Sequence, residues 1–214
     1  MPIDLNEIAS AEHSAVVTME IQRGVVGDLS SFPELAAATE AAGLVPNTAR
    51  LLVAARAAGV PVVHCTAEFR ADRQGSAPNA PLITAMLRRP EHLLVGSPAA
   101  EIVPGIGLDP IDIVSARRHG VSPFIGTTLD PTIRNLGVST VVAVGVSINL
   151  GILGLAIEAV DLGYRVVVAT DAVVGIPADY ADAVVRNTLS LVATLTTVDA
   201  IAAAFANTGS IVLP

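Results

Sequence analysis

At 214 residues the chain is sized for one domain, 1–214, that buries roughly 70% or more of its unfolded surface without disulfides or a structural metal. Aromatic residues are 3% of the chain and Trp is absent, against 52% hydrophobic residues, so the core has to be built from Val, Ile, Leu and Ala. All 12 cationic side chains are Arg, and 20 Asp and Glu leave a net charge of -8, which argues against nucleic acid as a partner.

In chain order, Ala15 to Glu20 is a short apolar run ending in a carboxylate, the pattern of a central strand opening on a cleft. Leu35 to Gly59 carries Ala, Leu and Val at helical spacing, with a break expected at Pro46 and an end at Gly59. Val60 to Cys65 reads as the second strand, and Thr66 to Pro81, with Arg70 and Arg73, as a loop and lid. Ile111 to Val114 is the third strand and Ala116 to Thr128 a loop. Thr140 to Val144 is the fourth, leading through a Gly-containing turn into a helix from about Leu150 to Leu162. Arg165 to Ala169 is the fifth, Asp171 to Pro177 a loop, Tyr180 to Leu195 a helix, and a short sixth strand lies near Thr196.

This alternation predicts a doubly wound, mostly parallel six-stranded sheet with helices on both faces. Val138 to Ile157 is uncharged over bilayer length, yet Gly145, Asn149, Gly151 and Gly154 interrupt it, so it is read as strand, turn and helix and no membrane partner is expected. Met1 to Ser14 shows no cleavable leader pattern and Cys65 is the single cysteine, so a cytoplasmic protein is expected.

Four segments, Val16 to Gln22, Gly96 to Ile106, Arg118 to Leu129 and Gly145 to Asp171, resemble the isochorismatase-like (cysteine hydrolase) family in order and spacing. The most specific are the run from Leu136 to Gly151 and the stretch Ser122-Pro-Phe-Ile-Gly-Thr-Thr-Leu129. The resemblance implies a three-layer α/β hydrolase without a cofactor that acts on a small molecule and forms a homo-oligomer, dimer or tetramer. It also implies a site made of a strand-end carboxylate, a lysine and a nucleophilic cysteine. The thiolate attacks a carbonyl, the carboxylate takes its proton, and the lysine holds the developing charges.

Mapped onto this chain the three positions are Glu20, Arg118 and Gly151, and the sequence contains no Lys at all. Gly151 is also what the vinyl-ether-cleaving branch of the family resembles at this turn, and that branch needs no nucleophilic side chain. The resemblance further implies a cis Val146–Ser147 peptide with the Ser147 and Gly151 amides turned into the cleft; Asn149, His119 as a polar contact and Phe124 as pocket wall or lid are further candidates for substrate binding. Tyr180 and the Arg70 to Arg73 loop are weaker candidates for pocket wall or lid.

Three functions follow. The chain is a hydrolase in which Glu20 is the acid or base on a small anionic substrate held by Arg118, whose planar fork suits a carboxylate. Alternatively it is an inactive binding or oligomeric module, or a hydrolase that uses Cys65 instead. A free cysteine inside an apolar strand usually behaves as a buried hydrophobe, and His64 beside it reads as structural. With no Asp-x-His or His-x-His cluster, no metal is expected.

Overall fold

The computed structural model describes residues 4–207. A short helix α1 (Leu5–Ile8) precedes β1 (Ser14–Met19), whose six residues are all buried. Next come α2 (Pro33–Ala41), α3 (Leu44–Ala57), β2 (Val62–Ala67) and α4 (Pro81–Leu87), then β3 (Ile113–Arg117), α5 (Leu129–Asn135) and β4 (Thr140–Val146). A π-helical turn at Ile148–Ile152 leads into α6 (Leu153–Asp161), followed by β5 (Arg165–Val174) and α7 (Ala178–Val184). A second π-turn, Val185–Leu189, continues into α8 (Ser190–Val192), β6 (Thr194–Thr196) and α9 (Val198–Asn207).

The six strands form one sheet in the order β3-β2-β1-β4-β5-β6, and every pairing is parallel. Alternate side chains of each strand face opposite sides. Val16, Val62, Val142 and Val167 pack with Leu44, Leu51, Leu52 and Phe205 of α3 and α9. Ala15, Val17, Val63, Val141 and Val168 pack with Leu129, Ile133, Leu155 and Leu189 of α5, α6 and the second π-turn. Each fully buried Leu or Val contributes roughly 1.5–3 kcal/mol, so two aliphatic layers hold the sheet without tryptophan. The chain runs outward from β1 to β3 and then returns to β4 on the other side of β1. Between β1 and β4 the winding direction switches, and the carboxyl ends of those strands open a crevice.

Several boundaries differ from the sequence expectation. The long helix breaks at Gly43, which sits in the left-handed region (φ 65), and not at Pro46. Pro46 lies in the first turn of α3, where an N–H has no intrahelical partner to lose. β5 runs on through Asp171, so 171–174 are strand and not loop; the Asp171 carboxylate instead accepts from the Val198 N–H at 2.9 Å at the start of α9. β3 begins and ends later than expected, which decides the site geometry below. The uncharged run 138–157 is resolved into β4, a turn and the start of α6, and no helix among the described residues is long and apolar enough to cross a membrane.

On the α3 side a polar network crosses the sheet. Arg56 grips Asp112 through two hydrogen bonds of 2.5 and 3.1 Å, the His64 Nε2 meets the same carboxylate at 3.1 Å, and its Nδ1 meets the Thr18 hydroxyl at 2.8 Å. A carboxylate only accepts, so Nε2 carries the proton and Thr18 donates to Nδ1. His64 is therefore a structural residue.

Candidate active site

Glu20 is the first residue after β1. Its N–H donates to the Cys65 carbonyl at 2.9 Å, and its backbone lies in the left-handed region (φ 51). For a residue with a Cβ that conformation costs roughly 1–2 kcal/mol. Gly145, the β4 residue paired with Met19, sits so close that a Cβ there would lie 2.2 Å from the Met19 carbonyl oxygen. Only glycine lets β4 pass at that point, and the contact fixes the peptide that carries Glu20.

The Glu20 carboxylate forms an ion pair with Arg117, whose side chain is 5% exposed. The Arg117 Nη2 donates to Glu20 and its Nε to the Gly120 carbonyl at 3.1 Å, while Nη1 is buried with no hydrogen-bond partner among the described residues. Burial lowers the Arg117 guanidinium to about 10, which still leaves it a cation at neutral pH.

The cation expected at Arg118 is thus supplied by its neighbour. β3 extends to Arg117, so period-two alternation sends Ser115 and Arg117 inward and Arg118 outward. Arg118 is 45% exposed and pairs with Glu68 at 3.0 Å. It borders a separate pocket of about 380 Å³ with His119, which accepts from the Ala77 N–H at 3.4 Å. Neither residue borders the Glu20 cavity. Phe124 is also placed elsewhere, buried and stacked on Tyr164 in the α5–α6 layer. Tyr180 is exposed on α7.

Beyond β4, the Val146–Ser147 peptide is cis. The Ser147 hydroxyl donates to the Asn149 side-chain oxygen. Gly151, in the π-turn, leaves no room for a side chain: a Cβ would lie 2.8 Å from the Val146 carbonyl oxygen and 3.1 Å from the Met19 Cε. Any thiol at this position would have to displace backbone.

Glu20, Arg117, Ser147, Asn149 and Gly151 border one cavity of about 210 Å³. Its remaining walls are almost wholly apolar, with Phe32, Leu35, Leu82, Met86, Leu93 and Leu150 among them. His92 is the exception. Its Nδ1 lies 3.2 Å from the Ser31 hydroxyl, its Nε2 is buried without a partner among the described residues, and burial, aided by Arg89 and Arg73, holds its pKa down to about 4. Arg73, from the expected lid, binds the carbonyls of Arg89, Pro90 and His92 and so ties that loop to the cavity wall. Gln22 is a positioning residue the sequence did not flag. Fully buried, its side chain joins β1 to the backbone of Ala67 on β2, at 2.8 and 3.0 Å, and to the Ala100 carbonyl at 2.8 Å.

Cys65 does not border the cavity. It is 1% exposed within the α5–α6 layer, where burial pushes its thiol up and disfavours the thiolate. Among the described residues no group of three or more His, Cys, Asp and Glu is arranged to hold a metal.

The isochorismatase domain model matches residues 14–200, a span containing all six strands and the whole cavity. The chain belongs to the isochorismatase family. The isochorismatase family protein YecD of Escherichia coli O157:H7 is 27% identical over 172 residues, covering 76% of this chain and 80% of that protein. YwoC of Bacillus subtilis, another isochorismatase family protein, is 40% identical over 73 residues, a match spanning 34% of this chain and 38% of that relative. Among solved structures, an isochorismatase family protein from Desulfovibrio vulgaris is 27% identical with a TM-score of 0.77, covering 90% of this chain and 98% of that one. The isochorismatase fold therefore accounts for the sheet, and the cavity lies at its switch point.

Proposed function

We propose that this chain is an isochorismatase-like hydrolase that works without a covalent cysteine intermediate, with Glu20 as the acid–base residue. The observation that carries this reading is the Glu20–Arg117 pair bordering an apolar cavity together with Gly151. A guanidinium against the carboxylate favours its ionised form, so Glu20 begins as a base. It takes a proton from a water that adds to the electrophilic carbon of a small substrate, and returns that proton to the departing group. Arg117 holds the carboxylate in place, and its positive charge bordering the cavity favours the negative charge that develops. Ser147 and Gly151 present backbone at the same wall. The expectation of an anionic substrate rested on a free Arg118, and that residue is engaged with Glu68 outside the cavity.

The test is turnover of a panel of small esters, amides and vinyl ethers. On any substrate found, Glu20→Gln should lower kcat by roughly 100-fold or more with the fold unchanged by circular dichroism. Unchanged turnover would remove Glu20 from the mechanism. One observation supports a second reading, a binding module: neither Gly151 nor the buried Cys65 offers a nucleophile. That reading predicts ligands recovered unconverted after long incubation with protein they stabilise.

A further inference from the structure

We infer that Glu20 is a built-in counter-ion that makes this cavity select neutral, largely apolar ligands with one hydrogen-bond acceptor, and reject carboxylates of the same shape. This deepens the proposed site and rests on the cavity described above, though not on turnover.

Two formal charges border the cavity, Glu20 and Arg117, and they are spent on each other. The other ionisable wall residue, His92, is neutral at pH 7. A carboxylate entering this space would leave water for apolar walls and find its one cation already neutralised, with the Glu20 carboxylate repelling it at close range. Burying an unpaired charge is among the most costly steps a ligand can take, whereas a ketone or ester oxygen loses little if one donor meets it. Asn149, which borders the cavity, carries such a donor in its side-chain amide, whose oxygen accepts from Ser147. Arg73 and Arg89 are the opposing influence. Both are cations near the His92 wall, but their guanidinium groups bind backbone carbonyls and lie over the rings of Phe69 and Phe32. They supply a field at the rim and are not among the residues lining the cavity.

Acetophenone and benzoate test this directly, since they share size and shape, differ in charge, and neither can be hydrolysed. Isothermal titration calorimetry on the full chain at pH 7 should show acetophenone binding at least about tenfold tighter than benzoate. In Glu20→Gln the counter-ion is gone while a side-chain amide remains, and benzoate should bind at least about tenfold tighter than it does to wild type. Equal or tighter binding of benzoate to wild type, binding of neither compound, or an unchanged benzoate affinity in Glu20→Gln overturns the inference. Should Glu20→Gln fail to fold, the wild-type comparison still decides. Because the probes undergo no reaction, a failure of charge selection is separate from a failure of Glu20 in turnover.

Discussion

Two buried guanidinium–carboxylate pairs sit on this sheet, and they differ in what is left over. In Arg56–Asp112 the carboxylate accepts from Arg56, from His64 and from the Asp109 N–H at 3.0 Å, with Asp112 itself 1% exposed. In Arg117–Glu20 the guanidinium keeps a buried Nη1 without a partner among the described residues, the carboxylate residue holds a left-handed backbone, and both border a cavity. Removing one partner of the first pair leaves a buried charge unmatched, whereas the second already carries a buried donor that no described residue meets.

The comparison breaks most readily at Asp112. Asp112→Ala strands the Arg56 cation and removes the acceptor of the buried His64, so it should destabilise the fold by about 3–5 kcal/mol. Urea unfolding measures this, and a loss below about 1 kcal/mol would mean the network is no structural pair at all. Glu20→Gln, which retains an amide against Arg117, should cost less stability and far more turnover.

Acid sharpens the same contrast through the two histidines. Burial lowers His64 despite its bond to Asp112, and lowers His92, which has no carboxylate partner among the described residues, to about 4. A histidine with a depressed folded pKa contributes stability that is complete above its unfolded value near 6.5. That stability is lost as pH falls, because the unfolded chain takes up the proton first. Between pH 6.5 and 4 the His92 contribution should fall by on the order of 2 kcal/mol. Urea midpoints at pH 7 and pH 4.5 should therefore converge in His92→Gln relative to wild type. An equal acid loss in both proteins would assign the slope elsewhere.

How much of this could be seen in the sequence depends on the range of the interaction. β1, β4 and the first half of β5 are Val- and Ala-rich runs buried on both faces, so their positions follow from composition, and Glu20 falls where the apolar run of β1 ends, whereas Gly151, in the turn beyond β4, was located by the family resemblance. The helix break followed from a conformational need of Gly43 that a nearby proline masked. His92 and Gln22 escaped notice because their partners are 61 and up to 78 residues away in the chain, and no local periodicity registers such contacts. The edge strand β3 was the most consequential error of register. Its burial alternates, with Val114 exposed, and it ends at Arg117, the first of two adjacent arginines that together resemble a polar loop.

The adjacent arginines give the finest form of the comparison, since one residue of register separates a buried ion pair from a surface one. Arg117 is 5% exposed with an Nη1 that no described residue meets, while Arg118 is 45% exposed with Glu68 for a partner. Surface pairs contribute about 0–1 kcal/mol, because water and salt screen them and ordering two long side chains offsets the attraction. Arg118→Ala should therefore shift stability by less than about 0.5 kcal/mol and leave acetophenone binding unchanged. Arg117→Ala strands Glu20 as an unneutralised charge in an apolar wall, so acetophenone binding should be lost. Should Arg118→Ala be the variant that loses binding, the end of β3 is shifted by one residue in solution, and the cation bordering the cavity has been assigned to the wrong side of the strand.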